Sequence, residues 1–134
     1  MSIPEAVRDQ AVAMGAKKVG LMGTIFTMEQ DYMKKDLEKA GIQVVIPDKE
    51  ERELVAKRIF EELEQGIVKD STLEEFLRII NRMKQEEGID ALILGCTELP
   101  LLLNEKNCPV PCLDAVEIHL EQLLNLAFVS KLAR

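Results

Sequence analysis

Residues Ala91–Glu98 read ALILGCTE, a short apolar run that passes directly into Gly-Cys-Thr-Glu. Four consecutive apolar residues followed by a turn signal are typical of a strand that is buried on both faces of a sheet. Such strands occur in parallel sheets, because helices cover both faces there. The segment therefore predicts a buried parallel strand whose carboxyl end carries a cysteine, Cys96, in the turn that follows.

Three further apolar runs repeat this pattern. They are the predicted strands Lys18–Gly23, Gln43–Ile46 and Val110–Leu113, and helical patterns separate all four strands. Alternating strands and helices indicate an α/β fold, and right-handed crossovers favour the flavodoxin-like strand order 2-1-3-4. We therefore expect a single three-layer α/β domain over residues 1–134, with a four-stranded parallel sheet and helices on both faces.

Capping signals set the expected bounds of the helices. Asp48 and Thr72 are each followed three residues later by a glutamate, which is the spacing of a capping box. The helix after the first strand is expected to place Phe26, Met33 and Leu37 on its inner face. We expect helices over Ile3–Met14, Thr27–Ala40, Asp48–Gln65 and Ala115–Leu132, another that Thr72 opens, and a short helix or turn over Leu99–Leu103.

Composition excludes several classes of function. Of the 134 residues, 47% are hydrophobic and 31% are charged, a balance typical of a globular domain. A net charge of −7, with no Trp and one Tyr, disfavours binding to nucleic acid or to an anionic membrane surface. No apolar run approaches the roughly 20 residues that span a bilayer, and no signal-peptide pattern is present. We expect a cytoplasmic protein with neither a membrane nor a nucleic-acid partner.

The cysteines do not form a familiar metal site. Cys96, Cys108 and Cys112 are an odd number of thiols with no C-x-x-C pair, and the chain has one His. This set cannot complete a zinc site at the usual spacings, so we expect no metal. In a cytosolic protein the three thiols should be reduced, as small apolar side chains or as reactive groups.

The predicted strand order indicates where a ligand would bind. In such a sheet, ligands bind beyond the carboxyl ends of the strands, beside the point where the winding reverses. That point lies between the first and third strands. The turns Gly23-Thr24 and Gly95-Cys96-Thr97 should therefore meet there and form the site.

The Gly-Cys-Thr-Glu turn offers groups that could bind the charged groups of a small substrate. A cysteine that opens a helix lies near the positive end of the helix dipole, so we expect a lowered pKa for Cys96. Gly95 would let a substrate approach the backbone, and the Thr97 hydroxyl could hold a carboxylate. Glu98 would act as a first-turn dipole partner or as a ligand for a substrate ammonium group. Packing explains the same turn equally well, with Cys filling a small hole and Thr capping the helix.

Two longer segments resemble the aspartate/glutamate racemase family. They are ALILGCTELPLL over residues 91–102 and VGLMGTIFTMEQ over residues 19–30. Shorter matches to the family, in the same order and at the same spacings along nearly the whole chain, are Val45–Asp48, Glu62–Gly66, and Asp114 with His119 five residues later.

This resemblance implies a racemase that uses neither pyridoxal phosphate nor a metal. Members of the family bind an amino acid between two similar α/β domains, with a cysteine from each domain on opposite faces of the α-carbon. One thiolate removes the α-proton while the opposite thiol delivers a proton to the other face. By the resemblance, Cys96 matches the second catalytic cysteine, Thr97 its carboxylate-binding neighbour, and Thr24 the Gly-Thr turn at the pocket wall.

The resemblance also implies that this chain supplies only one of the two thiols. The other cysteine of the family lies in an N-terminal domain within a Cys-Asn-Thr motif, and neither Cys108 nor Cys112 sits in such a motif. We therefore expect the chain to correspond to the C-terminal half of a two-domain racemase, with the second thiol from an N-terminal domain or a partner chain. The apolar last helix predicts a homodimer.

Two other readings stay open at this point, as does the identity of the substrate. One is a non-catalytic module of the same fold that binds a small carboxylate or only packs. The other is a relative with one-cysteine chemistry, such as a decarboxylase or a cis–trans isomerase of the same superfamily. Two departures from the family pattern leave the substrate side chain open. The family often has hydroxyl residues where this chain has Ala115 and Val116, and some members have a basic residue where it has Glu64.

Overall fold

A computed structural model describes residues 2–132 of the chain and contains one four-stranded parallel sheet. Its strands are β1 (Lys18–Met22), β2 (Gln43–Val45), β3 (Ala91–Leu94) and β4 (Cys112–Asp114), in the order β2-β1-β3-β4. The predicted fold class and strand order are therefore confirmed. Strands β1 and β3 lie at the centre of the sheet, and the winding reverses between them.

Helices cover both faces of this sheet. Among residues 2–132 the α-helices are α1 (Ile3–Ala13), α2 (Ile25–Glu29), α3 (Lys35–Lys39), α4 (Lys49–Glu61), α5 (Asp70–Arg82) and α6 (Ala115–Leu132). A π-helical turn, Met83–Glu87, extends α5, and 3₁₀ turns lie at Leu63–Gln65 and Leu99–Leu101.

Strand β3 shows why the central strands are continuously apolar. Leu92 and Leu94 face a core that α4 and α5 build, with Ile59, Phe76 and Ile80 among its members. The alternate residues Ala91 and Ile93 face a second core on the other side of the sheet, with Val7 and Ala11 of α1 and Leu37 of α3. Because successive side chains of a strand point to opposite faces, a strand between two cores has no solvent-facing position.

The helix predicted over Thr27–Ala40 is two shorter helices, and that prediction is wrong. Thr24 caps α2 by accepting a hydrogen bond from the Thr27 backbone, so this helix begins at Ile25 and ahead of the predicted start at Thr27. The backbone becomes extended at Gln30, and α3 then ends at Lys39. The earlier start also turns Phe26 outward, where it is 66% exposed, whereas Met33 and Leu37 are buried as predicted.

Of the two predicted capping boxes, one is confirmed and the other is wrong. The carboxylate of Glu51 accepts from the Asp48 backbone at 2.8 Å, as the capping box of α4 requires. At α5 the helix begins at Asp70, ahead of Thr72, which is buried and donates its hydroxyl to the Glu62 carboxylate. The Thr72 hydroxyl thus bonds to Glu62, the residue directly after α4, and does not cap α5 as the spacing predicted.

Helix α6 is packed along only part of its length. Its first half lies on α1, where the Gln122 side-chain amide donates to the Ala6 carbonyl at 3.3 Å. From Leu123 to Val129 every side chain is exposed. Within residues 2–132, no helix has both the length and the apolar character needed to cross a membrane.

Candidate active site

The turns that follow β1 and β3 lie against each other, as the strand order predicts. Met22 pairs with Leu94 at the last register position of the two strands. One residue further on, the Gly95 backbone N–H donates to the Met22 carbonyl at 2.8 Å. A Cβ atom placed on Gly23 would lie 3.5 Å from the Gly95 carbonyl carbon. The sheet therefore continues its hydrogen bonding into the turn and brings Gly23-Thr24 beside Gly95-Cys96.

Packing explains why residue 95 is a glycine. A Cβ atom there would lie 2.8 Å from the Thr27 Cγ2 atom and 3.2 Å from the Met22 carbonyl oxygen. Any larger residue would have to displace one of these neighbours. The predicted role of Gly95, close approach of a substrate to its backbone, stays a prediction.

Thr27 is the residue that sequence reasoning missed at this site. Its methyl group lies against both Gly23 and Gly95, and its hydroxyl accepts a hydrogen bond from the Thr24 hydroxyl at 3.1 Å. The signal in the sequence is the Thr-x-x-Thr spacing directly after Gly23, which allows the first hydroxyl to cap the helix while the second side chain fills the turn. Thr24 is therefore held by two hydrogen bonds to Thr27, one to its backbone and one to its hydroxyl.

Cys96 is half-buried in the turn after β3, and its thiol is held by its own chain. The nearby backbone N–H groups of Glu98 and Leu99 lower the pKa of the thiol, whereas the Glu98 carboxylate raises it. Burial has the largest effect and, with the Glu98 charge, raises the pKa of Cys96 to about 11.

The expectation of a lowered pKa at Cys96 is therefore wrong. The segment that follows the cysteine is the three-residue 3₁₀ turn Leu99–Leu101. A dipole grows with the number of aligned peptide groups, so this turn offers two N–H donors but little of the field of a full α-helix. At neutral pH, Cys96 is consequently a neutral thiol and not a thiolate.

Thr97 and Glu98 are engaged with each other. Thr97 is exposed, and its hydroxyl donates to the Glu98 carboxylate at 2.7 Å. The same carboxylate contacts the Cys96 thiol, so one acidic group links the two neighbours that were predicted as site residues. The structure thus brings all five predicted residues into two adjoining turns, with Gly95, Cys96, Thr97 and Glu98 on one and Thr24 on the other.

An open groove of about 800 Å³ adjoins these turns along the β4 side of the sheet. Leu94 and Pro100, which flank the Cys96 turn, lie in its wall together with Cys112 of β4. Asp114, Glu117 and Glu121 make the α6 side of the groove acidic. Among residues 2–132, no three His, Cys, Asp or Glu side chains converge in an arrangement that would hold a metal ion.

Comparison with known proteins identifies relatives of this chain. The family model described as Asp/Glu/hydantoin racemase matches residues 1–123. An aspartate racemase homologue from Pyrococcus horikoshii is 42% identical and superposes with a TM-score of 0.89, over 95% of this chain and 55% of that one. A candidate Asp/Glu racemase from Yersinia pestis is 37% identical, with a TM-score of 0.88 over 94% of this chain and 55% of that one.

A curated relative gives the same assignment. Glutamate racemase of Corynebacterium glutamicum is 30% identical over 97 residues, which are 72% of this chain and 33% of that protein. The chain thus spans about half the length of the two racemase-like structures and a third of the curated enzyme. The family model covers most of the chain, and the fold superposes closely on the two racemase-like structures. The chain belongs to the Asp/Glu/hydantoin racemase family.

Proposed function

We propose that this chain supplies one proton-transfer thiol, Cys96, of a cofactor-independent amino-acid racemase of the aspartate/glutamate type. The observation that carries the proposal is the position of Cys96 in a member of this family. It follows β3 at the point where the winding reverses, in the turn that lies against Gly23-Thr24. A thiol fixed at this edge of the sheet faces the region where α/β folds bind their ligands.

The protonation state of Cys96 assigns its part in the reaction. Because burial raises its pKa to about 11, the resting thiol carries its proton at neutral pH. It is then poised to donate a proton to the α-carbon while a second thiolate, on the opposite face, removes the original α-proton. In the reverse direction Cys96 must act as a thiolate, and the N–H groups of Glu98 and Leu99 stabilise that form.

The neighbouring groups suit the two charged ends of an amino acid. We assign the substrate ammonium to the Glu98 carboxylate, which the Thr97 hydroxyl now occupies. When the ammonium takes up that carboxylate, the Thr97 hydroxyl becomes free to donate to the substrate carboxylate. Thr24 then forms the opposite wall and the Gly95 backbone the floor, so the α-carbon lies between them beside Cys96.

The proposal also includes the source of the second thiol and the partner that packs on the exposed side of α6. Both relatives of known structure continue for nearly half of their length beyond the part that this chain matches. We assign the second thiol to an N-terminal domain or to a partner chain. The present chain then corresponds to the C-terminal half of the racemase. The exposed side of α6 is assigned to a second copy of the chain, in a cytoplasmic homodimer.

Exchange of the α-proton in deuterium oxide tests the assignment. The chain is incubated with aspartate or glutamate, and deuterium at the α-carbon is followed by proton NMR. A single thiol can exchange this proton without inverting the centre, so exchange without racemisation is expected. The rate should rise with pH, because the thiolate fraction of Cys96 increases toward its pKa of about 11.

Matched variants make the result specific. Cys96→Ser should abolish exchange, whereas Cys108→Ser removes a thiol outside the proposed site and should leave the rate unchanged. Circular dichroism spectra confirm that both variants are folded. Exchange that persists in Cys96→Ser would remove this thiol from the mechanism, and an amino acid that binds but never exchanges would indicate a binding module instead.

A further inference from the structure

The other two cysteines form a pair that the proposed racemase chemistry does not use. Cys108 and Cys112 converge on one backbone carbonyl, that of Asn104, which accepts from the Cys108 backbone N–H at 3.0 Å and from the Cys112 thiol at 3.8 Å. Both side chains are half-buried. Cys112 is the first residue of β4 and pairs with Leu92, so the sheet fixes its position. Cys108 lies four residues earlier, on the loop that leads into this strand.

Hydrogen bonds hold that loop in place. The Asn104 side-chain carbonyl accepts from the backbone of Lys106 at 2.8 Å and of Asn107 at 3.1 Å. The Asn107 side-chain amide donates in turn to the Leu102 carbonyl at 3.0 Å, and the Cys108 backbone N–H donates to the Asn104 carbonyl at 3.0 Å. Cys108 is thus carried on an ordered loop and held beside a thiol that the sheet holds.

We propose that Cys108 and Cys112 are a redox-active dithiol that hydrogen peroxide converts into an intrachain disulfide, which thiols reduce again. A disulfide between the two would alter the groove that adjoins the Cys96 turn, because Cys112 lies in the wall of that groove. A disulfide would tie the Asn104–Pro111 loop to β4 and fix this wall of the groove. This inference does not depend on racemase activity.

The two thiols divide the reaction between them. The neighbouring Cys112 thiol favours the thiolate of Cys108 and lowers the pKa of Cys108 to about 7, while the pKa of Cys112 is raised. Cys108 is therefore the nucleophile. Its thiolate attacks one peroxide oxygen, the O–O bond breaks, and after protonation one water leaves with a sulfenic acid at Cys108.

Cys112 resolves this intermediate. It loses its proton and attacks the Cys108 sulfur, the S–O bond breaks, and a second water departs as the S–S bond forms. Two thiols and one peroxide thus give one disulfide and two waters. The two electrons that reduce the peroxide come from the two sulfurs.

Peptide mass mapping tests this proposal directly, because trypsin separates the pair from Cys96. Cleavage after Lys84, Lys106 and Lys131 leaves Cys96 in the peptide of residues 85–106, and the pair in that of residues 107–131. The folded protein is treated with peroxide, alkylated with iodoacetamide and digested without reduction. The second peptide should have lost two hydrogens and carry no alkyl group, whereas the first should be alkylated. Dithiothreitol should reverse the loss.

Single variants distinguish the two thiols. Cys112→Ser should accumulate a sulfenic acid at Cys108 that dimedone traps, and Cys108→Ser should leave Cys112 reduced under the same treatment. A peptide that keeps both thiols alkylatable while the Cys96 peptide is oxidised would overturn the proposal. Disulfide-linked dimers on a non-reducing gel, or trapped sulfenic acid mainly at Cys112 in Cys108→Ser, would overturn it as well.

Discussion

The Thr27 Cγ2 atom lies 2.8 Å from the position that a Cβ atom on Gly95 would occupy. This fit joins the turn after β1 to the turn after β3, because Thr27 also binds the Thr24 hydroxyl. The spacing between Thr24 and Cys96 therefore depends on a contact between a methyl group and a glycine. A substitution at Gly95 or Thr27 should therefore change the free energy of unfolding of the domain.

Gly95→Ala should destabilise the fold, because the added methyl group overlaps Thr27 and crowds the Met22 carbonyl. Overpacking of this kind costs about 1–3 kcal/mol. The free energy of unfolding in urea measures the effect. Thr27→Ser keeps the hydroxyl and removes Cγ2, so it should restore most of the loss in the double variant. An additive double variant would show that the overlap is not the cause.

The cysteines should differ in their reactivity toward iodoacetamide at neutral pH. Thiolate is the reactive form, and the pKa is raised to about 11 at Cys96 and lowered to about 7 at Cys108. As the pH rises, modification of Cys108 should level off just above neutrality, while that of Cys96 should keep increasing toward pH 11. Tandem mass spectrometry of the two tryptic peptides gives the rates. In urea the difference should vanish, and its persistence there would exclude a folded-state origin.

Thr72→Val should also destabilise the protein. The Thr72 hydroxyl donates to the Glu62 carboxylate, which is buried, and the isosteric valine would leave that acceptor short of a partner. The expected loss is about 1–3 kcal/mol in the urea unfolding free energy. Arg58, at 3.2 Å, remains as the other partner of Glu62. Thr72→Ser keeps the hydroxyl and serves as the control, and equal stability of both variants would contradict this account.

The exposed stripe of α6 should determine the oligomeric state. Leu120, Leu124 and Phe128 follow one another at intervals of four and are 54%, 60% and 62% exposed. If a second copy covers them, Leu124→Lys should shift the sedimentation-velocity profile from dimer to monomer at micromolar concentration. Lys57→Glu, on the exposed surface of α4, is a charge-changing control that should leave the dimer intact. A monomeric mass for the unchanged chain would contradict the homodimer.

The architecture was largely predictable because strands buried on both faces are apolar at every position, which is a pattern that the sequence shows directly. Ala91–Leu94 is apolar throughout since both cores need it, and that is visible in the sequence. The break between α2 and α3 was not visible. Residues Gln30–Lys34 contain neither Gly nor Pro, and the turn arises instead from the earlier cap at Thr24 and the inward packing of Met33.

The meeting of the two turns was predictable, and the electrostatics around Cys96 were not. Strand order alone placed Gly23-Thr24 beside Gly95-Cys96. The pKa of Cys96 depends instead on how deeply its sulfur is buried and on the length of the following helical turn, and neither can be read from Gly-Cys-Thr-Glu. The packing role of Thr27 was hidden for a similar reason, since it exists only where two turns distant in sequence meet.

No loop separates β4 from α6, and this junction has a mechanical consequence. The helix begins at the residue after Asp114, whose carboxylate accepts from the backbones of Val116 and Glu117 at 3.2 and 3.3 Å. Asp114 pairs with Leu94, which leads directly into the Cys96 turn. The helix is 18 residues and about 27 Å long, and its first half is held against α1 through Gln122, so its exposed outer half extends from a fixed base. A partner that binds this outer half therefore binds an element joined, without a loop, to the strand beside β3.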